Sequence, residues 1–291
     1  MRKAEKSIYW FLLPSILLLL TFTFYPTIYE IATSFFKIDY IKNITKFVGP
    51  NNYLQGVSDP LFIVAVKNTF YFVILAVFFE TFLGLTLALF FSSLKSRYEK
   101  LLRGIVLIPM LLPPITVALT WKMMYDYNYG VINFFIKLFG GKAIEWLNLP
   151  KIALFSIILT DIWQWSPFAF LVIFAYLQAL PQDIYESADV DGANYLQKLR
   201  YITLPLIKPA IFLTALLRTI DTFRVFDKVY VMTGGGPGNS TETISFYIYR
   251  NAFRYFQIGY SSSIAIIMVV IVLLFSMPYI RNLMKSISQQ A

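Results

Sequence analysis

The side chains with the most capacity for chemistry in this sequence are charged residues that interrupt its long apolar runs. Arg218, Asp221 and Arg224 are spaced three apart, which places them close to one face of a helix. Charges in an apolar environment usually face a charged partner or an aqueous cavity, because burying them alone is costly. The strip therefore predicts either a pathway that hydrogen-bonds a polar solute or a structural ion-pair strip at a packing interface.

A second group of candidate residues lies in the segment DIWQWSPF. Asp161, Trp163 and Gln164 combine hydrogen-bonding groups with an aromatic face, which suits a sugar ring. Tryptophan is also common at membrane interfaces, and this interpretation applies at least as well to Trp165. Glu80 carries the same ambiguity, and we favour a structural role for it.

The residue types that are missing exclude most enzyme chemistry. The chain contains no His and no Cys, which removes the commonest general base and metal ligand as well as thiolate nucleophiles. No two carboxylates are paired on a shared loop, as a general acid–base site requires. We therefore expect no catalytic residue, no metal and no cofactor bound by this chain.

The composition indicates a membrane protein. Of the 291 residues, 58% are hydrophobic and only 14% are charged, whereas a soluble domain has about 25% charged residues. The formal net charge of +9 is better explained by membrane orientation than by nucleic-acid binding, since Lys and Arg set the orientation of membrane chains.

Six segments are long and apolar enough to span a membrane, which takes about 20 residues. They lie at residues 8–30, 65–92, 105–125, 153–180, 206–230 and 260–280. The first follows basic residues as a signal peptide does, but it is long and lacks a small-residue cleavage site, so we expect an uncleaved span. The predicted fold is an all-α integral membrane protein with six transmembrane helices in one domain over residues 1–291.

Basic residues near the span ends predict the orientation of the chain. With six spans, four groups fall on one side: Arg2, Lys3 and Lys6; Lys95, Arg97, Lys100 and Arg103; Lys198, Arg200 and Lys208; and Arg281 and Lys285. The lysines on the opposite side lie in longer loops, where the rule is weaker. We therefore expect a multi-pass protein of the plasma or inner membrane with both termini in the cytoplasm.

The polar segment at residues 181–205 lies on the predicted cytoplasmic side and has the signals of two short helices. Gly192 suits the left-handed conformation that ends the first helix, and Asn194, with a Gln three residues later, suits the capping box of the second. We expect Pro205 to end the second helix and Pro209 to occupy the first turn of the next. These signals alone do not distinguish a solvated loop from a contact surface.

The spacing within this segment is specific. It follows the pattern E-x-A-x₃-G-x₉-I-x-L-P through Glu186, Ala188, Gly192, Ile202, Leu204 and Pro205. The pattern resembles the EAA loop of the permeases of ATP-binding-cassette importers, with Ser187 where the family has Ala. The longer stretch at residues 180–209 is similar to the carbohydrate-uptake branch, the maltose and glycerol-phosphate type. Further stretches that resemble this family lie in order along the chain, at residues 68–74, 108–126, 129–133, 225–243 and 247–265.

The resemblance implies one membrane subunit of an importer rather than a complete machine. Its partners would be the lipid bilayer, a second permease in a heterodimer, two cytoplasmic ATPase subunits that bind ATP, and an extracytoplasmic binding protein that delivers a di- or oligosaccharide. In the family, the EAA helix docks in a groove of the ATPase and converts its motion into alternating access.

Carried over to this chain, the resemblance assigns roles to individual residues. Glu186 would pair with a cationic residue of the ATPase, and Gly192 would set the angle between the two short helices. The coupling surface would comprise Glu186, Ser187, Ala188, Asp191, Gly192, Ile202, Leu204 and Pro205. Because Ser187 and Ala188 are small, we expect another surface to approach closely there.

The glycine-rich run TGGGPGNST has a different explanation from ATP binding. It lacks the Lys-Ser/Thr ending of a phosphate-binding loop, and we expect a tight external turn at Gly234, Gly235, Gly236 and Gly238. In related transporters this loop can contact the binding protein.

Two alternative functions stay open at the level of sequence. One is an importer permease for another solute, such as a sugar phosphate or an amino acid. The other is an ion-coupled secondary transporter, in which the EAA-spaced segment would have no evident use.

Overall fold

The computed structural model describes residues 12–41, 43–94 and 97–288. The predictions that involve Arg2, Lys3, Lys6 and Lys95 lie outside these residues. The described residues form two compact units, one comprising those up to Ile63 together with Tyr247–Val270, the other Val64–Phe246 together with those from Ile271 onward. That residues 1–291 act as a single permease domain stays a prediction.

The described residues of the first half form six helices and a hairpin. They are α1 (Leu12–Ser34), β1 (Phe36–Asp39), β2 (Ile44–Phe47), α2 (Asn51–Ser58), α3 (Pro60–Ser93), α4 (Glu99–Leu111), α5 (Pro114–Met124) and α6 (Val131–Leu138). Strands β1 and β2 pair in antiparallel fashion.

The second half is helical over most of its length. Its helices are α7 (Pro150–Gln178), α8 (Asp183–Val190), α9 (Tyr195–Thr222), α10 (Asp227–Met232), α11 (Ile244–Tyr249) and α12 (Ile258–Ser288). In the described part of the chain, α1, α3, α7, α9 and α12 are long and apolar enough to cross a membrane, and the bent pair α4–α5 makes a sixth span when counted as one. The prediction of an all-α membrane protein with six spans is confirmed.

The third span is not the continuous helix that we expected at residues 105–125. Helices α4 and α5 meet at an angle of 94°. The cause is the pair Pro113 and Pro114, because a residue before proline is forced into an extended conformation. Leu112 and Pro113 accordingly have ψ values of 139° and 137°.

The fifth span also differs from the expectation. Pro205 does not end a helix, and Pro209 is not in a first turn, because α9 runs from Tyr195 to Thr222 and contains both. A π-helical turn at Leu199–Thr203 ends two residues before Pro205. The wider turn makes room for the proline ring opposite the carbonyl four residues earlier, with which it would otherwise clash. The helix stops at Thr222, eight residues before the predicted end at 230.

The core of the second unit forms where α3, α7 and α9 pack together. Helix α7 is central, since 67% of its most apolar stretch is buried. A cluster of buried side chains comprises Ala88 and Phe91 of α3, Phe170, Ile173 and Phe174 of α7, and Ile207 of α9. Gly84 allows the close approach of α3 to α7, because a Cβ atom there would collide with Ala169.

The glycine-rich turn before α11 is tied to α3. Three of its glycines have positive φ values, and Gly235, at +86°, leaves no room for a Cβ atom beside Phe246. Asn68 Nδ2 donates to the carbonyl of Asn239 at 3.1 Å, and Thr69 Oγ1 accepts from the N–H of Ile244 at 2.9 Å. The predicted tight turn is present at this position.

Candidate functional site

A buried ion-pair network joins α3, α7, α9 and α10. Arg218 of α9 donates from Nε to Glu80 Oε2 at 2.7 Å and from Nη2 to Glu80 Oε1 at 3.3 Å. This bidentate contact is the strong form of an arginine–carboxylate pair. Lys228 of α10 pairs with Asp161 of α7, and the second oxygen of Asp161 lies 3.5 Å from Arg218 Nη2.

The network is electrically balanced. Its four buried side chains, Glu80, Asp161, Arg218 and Lys228, carry two negative and two positive charges. Each charge is retained inside the protein because an opposite charge lies beside it. Since Glu80 engages two nitrogens of Arg218, the contact between these two residues fixes α9 against α3.

A cavity of about 310 Å³ lies beside the network, next to the break between α9 and α10. Its lining includes Pro114, Asp161, Trp165, Arg218, Asp221 and Lys228. The guanidinium of Arg218 lies 4.6 Å from the ring centroid of Trp165, and Lys228 Nζ lies 6.0 Å from it. The cavity therefore combines an aromatic face with carboxylates and paired cations.

Asp221 and Arg224 also line this cavity, but at its accessible side. Asp221 accepts from Arg218 Nη1 at 2.8 Å and from Arg224 Nη2 at 3.0 Å. The side chain of Arg224 is 66% exposed, and it follows the end of α9 at Thr222. The expectation that Arg218, Asp221 and Arg224 form one strip along the fifth span is therefore wrong for Arg224, because the helix ends two residues earlier.

Trp163 and Gln164 lie apart from the other predicted pathway residues. The ring of Trp163 packs at 5.5 Å from that of Trp121. Gln164 is fully buried, and its Nε2 donates to the carbonyl of Leu112 at 2.9 Å, which satisfies an acceptor at the α4–α5 break. The structure thus groups Asp161, Arg218, Asp221 and Arg224, whereas neither Trp163 nor Gln164 is among the residues that line the cavity.

Sequence reasoning missed two residues of this site. Trp165 was interpreted mainly as an interfacial tryptophan, although its ring centroid lies 4.6 Å from the guanidinium of Arg218 at the cavity. Lys228 was not singled out at all, although it falls inside the span predicted at 206–230. A count of every charge in that span would have found it.

A second candidate site is the junction of α8 and α9. Gly192 has a φ of +75°, and its N–H donates to the carbonyl of Asp189 at 3.1 Å. The N–H of Ala193 donates to the carbonyl of Ala188 at 2.9 Å. This pair of bonds is the Schellman motif, which ends a helix at a left-handed residue, so the predicted glycine turn is present.

The start of α9 is capped as its sequence predicts. Asn194 Oδ1 accepts from the N–H of Gln197 at 2.9 Å, and Gln197 Oε1 accepts from the N–H of Asn194 at 2.8 Å. Lys198 Nζ then donates to Asp189 Oδ1 at 2.6 Å, which links α9 back to α8. The two helices therefore form one preorganised unit.

A further contact fixes this unit against the chain. Tyr185 OH lies 3.1 Å from Thr203 Oγ1, in the π-helical turn of α9. Ala188 is buried inside the chain. Its small side chain therefore permits a close approach between parts of this chain rather than the approach of a partner. Ser187 is exposed, as expected for a residue at an outer surface.

The outer surface of the junction combines carboxylates with exposed apolar groups. Glu186, Asp191 and Pro205 are exposed, and Ile202 and Leu204 are half-buried. Val190 and Leu196, which the sequence did not single out, are 89% and 69% exposed on either side of Gly192. Large apolar side chains this exposed, beside exposed carboxylates, are typical of a protein-binding surface.

Neither site has the composition of a metal centre. Over residues 12–41, 43–94 and 97–288, the structure contains no group of three or more His, Cys, Asp or Glu side chains placed to hold a metal ion.

Comparison with known proteins places these features in a family. Residues 80–285 match the model of the binding-protein-dependent transport system inner membrane component. This match includes the whole ion-pair network and the α8–α9 junction.

Two curated relatives are similar over most of their length. The chain is 43% identical to the permease protein MalF of the trehalose/maltose transport system of Thermococcus litoralis, over 81% of this chain and 79% of MalF. It is 37% identical to the sulfoquinovosyl glycerol transport system permease protein SmoG of Agrobacterium fabrum, over 93% of this chain and 88% of SmoG.

A solved structure has the same fold. It is a chain of a bacterial alginate ABC transporter in complex with a periplasmic protein bound to an alginate pentasaccharide, at 26% identity and a TM-score of 0.84. The similarity covers 95% of this chain and 93% of that chain.

Proposed function

Because the chain belongs to the family of binding-protein-dependent transport system inner membrane components, we propose that it is the membrane subunit through which an ATP-driven importer moves a sugar. It is a transporter subunit of a multi-pass inner-membrane type rather than a catalyst. The sugar assignment is supported by the relatives, whose names specify trehalose/maltose and sulfoquinovosyl glycerol. A di- or oligosaccharide is the substrate class that we propose for this chain.

The observation that carries the proposal is the preorganised junction of α8 and α9. Its Schellman turn, capping box and Asp189–Lys198 pair hold two helices at a fixed angle. Val190 and Leu196 stand out from this junction and are mostly exposed in the described part of the chain. Such a rigid, partly apolar surface suits a groove on a separate ATPase subunit.

The partner that drives transport would therefore bind at this junction. Two ATPase subunits would bind and hydrolyse ATP, and Glu186 would meet a cationic residue of the groove. Glu186, Ser187, Asp191 and Gly192 would contribute to this contact. Ala188, Ile202, Leu204 and Pro205 would shape the junction from within or along its edge.

A second membrane subunit would complete the permease. Helix α1 has 23 residues, and none of its most apolar stretch is buried inside the described chain. This helix offers apolar surface for a second permease or for lipid, and we propose a heterodimer, with a binding protein that delivers the sugar on the outer side. Both termini would then be cytoplasmic, and the glycine-rich turn before α11 would face outward.

The cavity at the α9–α10 break is our candidate for part of the sugar pathway. Substrate sites of transporters often lie where a spanning helix is interrupted. Trp165 offers a ring face, and Asp161, Asp221 and Arg224 offer hydrogen-bonding groups at the cavity. Because Arg218 is held by Glu80, we assign it mainly to positioning these groups.

Uptake by whole cells tests the proposed function. Cells that express the transporter with this chain should accumulate a labelled neutral disaccharide from a panel that includes trehalose and maltose. Accumulation should stop when ATP is depleted with arsenate. Chain-dependent uptake that a protonophore abolishes while ATP is maintained would instead indicate an ion-coupled transporter.

A matched pair of tryptophan variants tests the pathway. Trp165→Ala should lower uptake strongly while assembly is unchanged, because it removes the ring at the cavity. Trp163→Ala removes the same amount of side chain from the opposite face of α7, and it should lower uptake far less. Equal loss in the two variants would argue against the cavity as the pathway.

A further inference from the structure

Helix α6 presents an apolar stripe that is largely exposed over the described residues, and we propose that this stripe inserts into the lipid interface on the side of the membrane where α5 ends and α7 begins. Its members are Val131, Phe134, Phe135 and Leu138, which are 42–64% exposed. They recur at positions i, i+3, i+4 and i+7, so they share one face of the helix.

The opposite face of α6 is fixed by one buried side chain. Asn133 is fully buried, and its Nδ2 donates to the carbonyls of Asp126 at 3.2 Å and Ile144 at 2.9 Å. Its Oδ1 accepts from the N–H of Ile144 at 3.0 Å and from Trp146 Nε1 at 3.2 Å. The orientation of the stripe is therefore set by the fold of the segment rather than by a mobile loop.

Contacts with α7 set the depth of the segment. Ser156 Oγ donates to the carbonyl of Trp146 at 2.9 Å, and Tyr125 OH donates to the carbonyl of Ser156 at 3.1 Å. Ser156 lies six residues into α7, or about 9 Å along its axis. Helix α7 has 29 residues and a length of about 43 Å, whereas the hydrocarbon core is about 30 Å thick. With α7 centred in the bilayer, about 6 Å of the helix extends beyond the hydrocarbon core at each end, so the contacts at Ser156 lie near the boundary between headgroups and hydrocarbon.

The chemistry of the stripe fits lipid better than a protein partner. Its four side chains carry no hydrogen-bonding group, whereas a protein interface has about one hydrogen bond per 100–200 Å². The stripe is flanked by amphipathic residues typical of membrane interfaces: Lys137 Nζ lies 5.9 Å from the ring centroid of Tyr127. The spanning helix that precedes it, α5, has exposed apolar residues at four-residue spacing, Ile115, Leu119 and Met123. The stripe continues this apolar surface along the chain.

Site-directed spin labelling tests the proposal, because the absence of Cys from the sequence leaves each single-cysteine variant with one cysteine in this chain, and the unsubstituted complex measures any labelling of the co-purifying subunits. Phe134→Cys and Leu138→Cys report on the stripe, and Val131→Cys is an independent site if either is not recovered. Lys137→Cys is the matched control on the same helix. The full chain would be purified with its co-purifying subunits and placed in nanodiscs of phosphatidylethanolamine and phosphatidylglycerol.

The expected result is a difference in collision accessibility. Labels on the stripe should have an oxygen-to-nickel-chelate accessibility ratio several-fold higher than the label at Lys137→Cys, because oxygen concentrates in lipid and the chelate stays in water. Immobilised labels with low accessibility to both reagents would mean that a protein subunit covers the stripe. A ratio equal to that at Lys137→Cys would mean that the stripe faces water, and either outcome would overturn the proposal. None of these three outcomes depends on which solute is transported.

Discussion

Arg218 shows how a charge can be both deeply buried and stable. Its guanidinium contacts Glu80, Asp161 and Asp221 and stacks over Trp165. Its positive charge is thus compensated by the buried carboxylates of Glu80 and Asp161 and, at the accessible side of the cavity, by Asp221. The sequence left a structural ion pair and a pathway lining open as interpretations, and Arg218 both pairs with Glu80 and lines the cavity.

Loss of Arg218 should destabilise the fold more than loss of Arg224. Arg218→Met would leave Glu80 buried without a cation, at a cost on the order of 3–5 kcal/mol. Arg224→Met removes only an exposed pair with Asp221, which should cost less than about 1 kcal/mol. The thermal unfolding midpoint of the detergent-purified chain measures both.

A double variant tests whether the uncompensated charge of Glu80 is the cause of this loss of stability. Adding Glu80→Gln to Arg218→Met should recover part of the lost stability, because the uncompensated charge is removed. If Arg218→Met and Arg224→Met unfold at the same temperature, the buried network does not have the structural role that we assign to it.

How well single residues could be predicted depended on how local their signals are. Gly192 and Asn194 were predicted correctly, because a glycine turn and a capping box depend on a few neighbouring residues. Asp161, Arg218 and Asp221 were recognised as charges in apolar runs, but the pairs that join Arg218 to Glu80 and Asp161 to Lys228 connect residues far apart in the chain. A count of the charges in the predicted span would have found Lys228, whereas the place of Trp165 at the cavity depends on packing, which a periodic pattern does not reveal.

At the scale of elements, prolines act differently according to their spacing. Pro113 and Pro114 are adjacent, so two successive residues are forced into an extended conformation and the helix breaks. Pro205 and Pro209 are four apart, so the missing N–H groups fall on one face, and a π-helical turn accommodates the first ring. The sequence therefore predicted the existence of every apolar span, whereas the break in one and the continuity of another depended on backbone geometry.

The junction of α8 and α9 should depend on the left-handed conformation of Gly192. No atom lies within 4 Å of a Cβ built there, so a substitution acts through the backbone alone. Gly192→Val should weaken the junction by about 1–2 kcal/mol, because a residue with a Cβ disfavours this conformation. The matched control is Gly192→Asn, since Asn adopts it more readily.

Hydrogen exchange of the peptide that contains Ala193 would measure this effect. The N–H of Ala193 is bonded to the carbonyl of Ala188 in the Schellman motif, and it should exchange faster in Gly192→Val than in Gly192→Asn. Equal protection in the two variants would show that the junction is held by its side-chain contacts rather than by the turn.

At the scale of the whole molecule, the orientation of the chain decides which surface meets which partner. Basic residues in the short connection before α4 predict a cytoplasmic location for it. Arg97 and Lys142 are both exposed and lie on opposite sides of the bent pair α4–α5 along the chain. They are therefore suitable reporters of orientation.

Labelling of intact cells with an impermeant maleimide tests this orientation, again in a chain without native Cys. Lys142→Cys should be labelled from outside, and Arg97→Cys only after the membrane is permeabilised. The reverse pattern would place the α8–α9 junction outside the cell, where no ATPase subunit could reach it.

The account as a whole depends on a mechanical link between this chain and an ATPase. The most direct test is the ATPase activity that co-purifies with the full-length chain, measured per mole of chain. Glu186→Lys should lose most of this activity, because it places a cation against the proposed cationic residue of the groove. Glu145→Lys is an equal charge reversal at an exposed residue before α7, and it should retain the activity. Undiminished activity with Glu186→Lys, or equal loss in both variants, would contradict coupling through the α8–α9 junction.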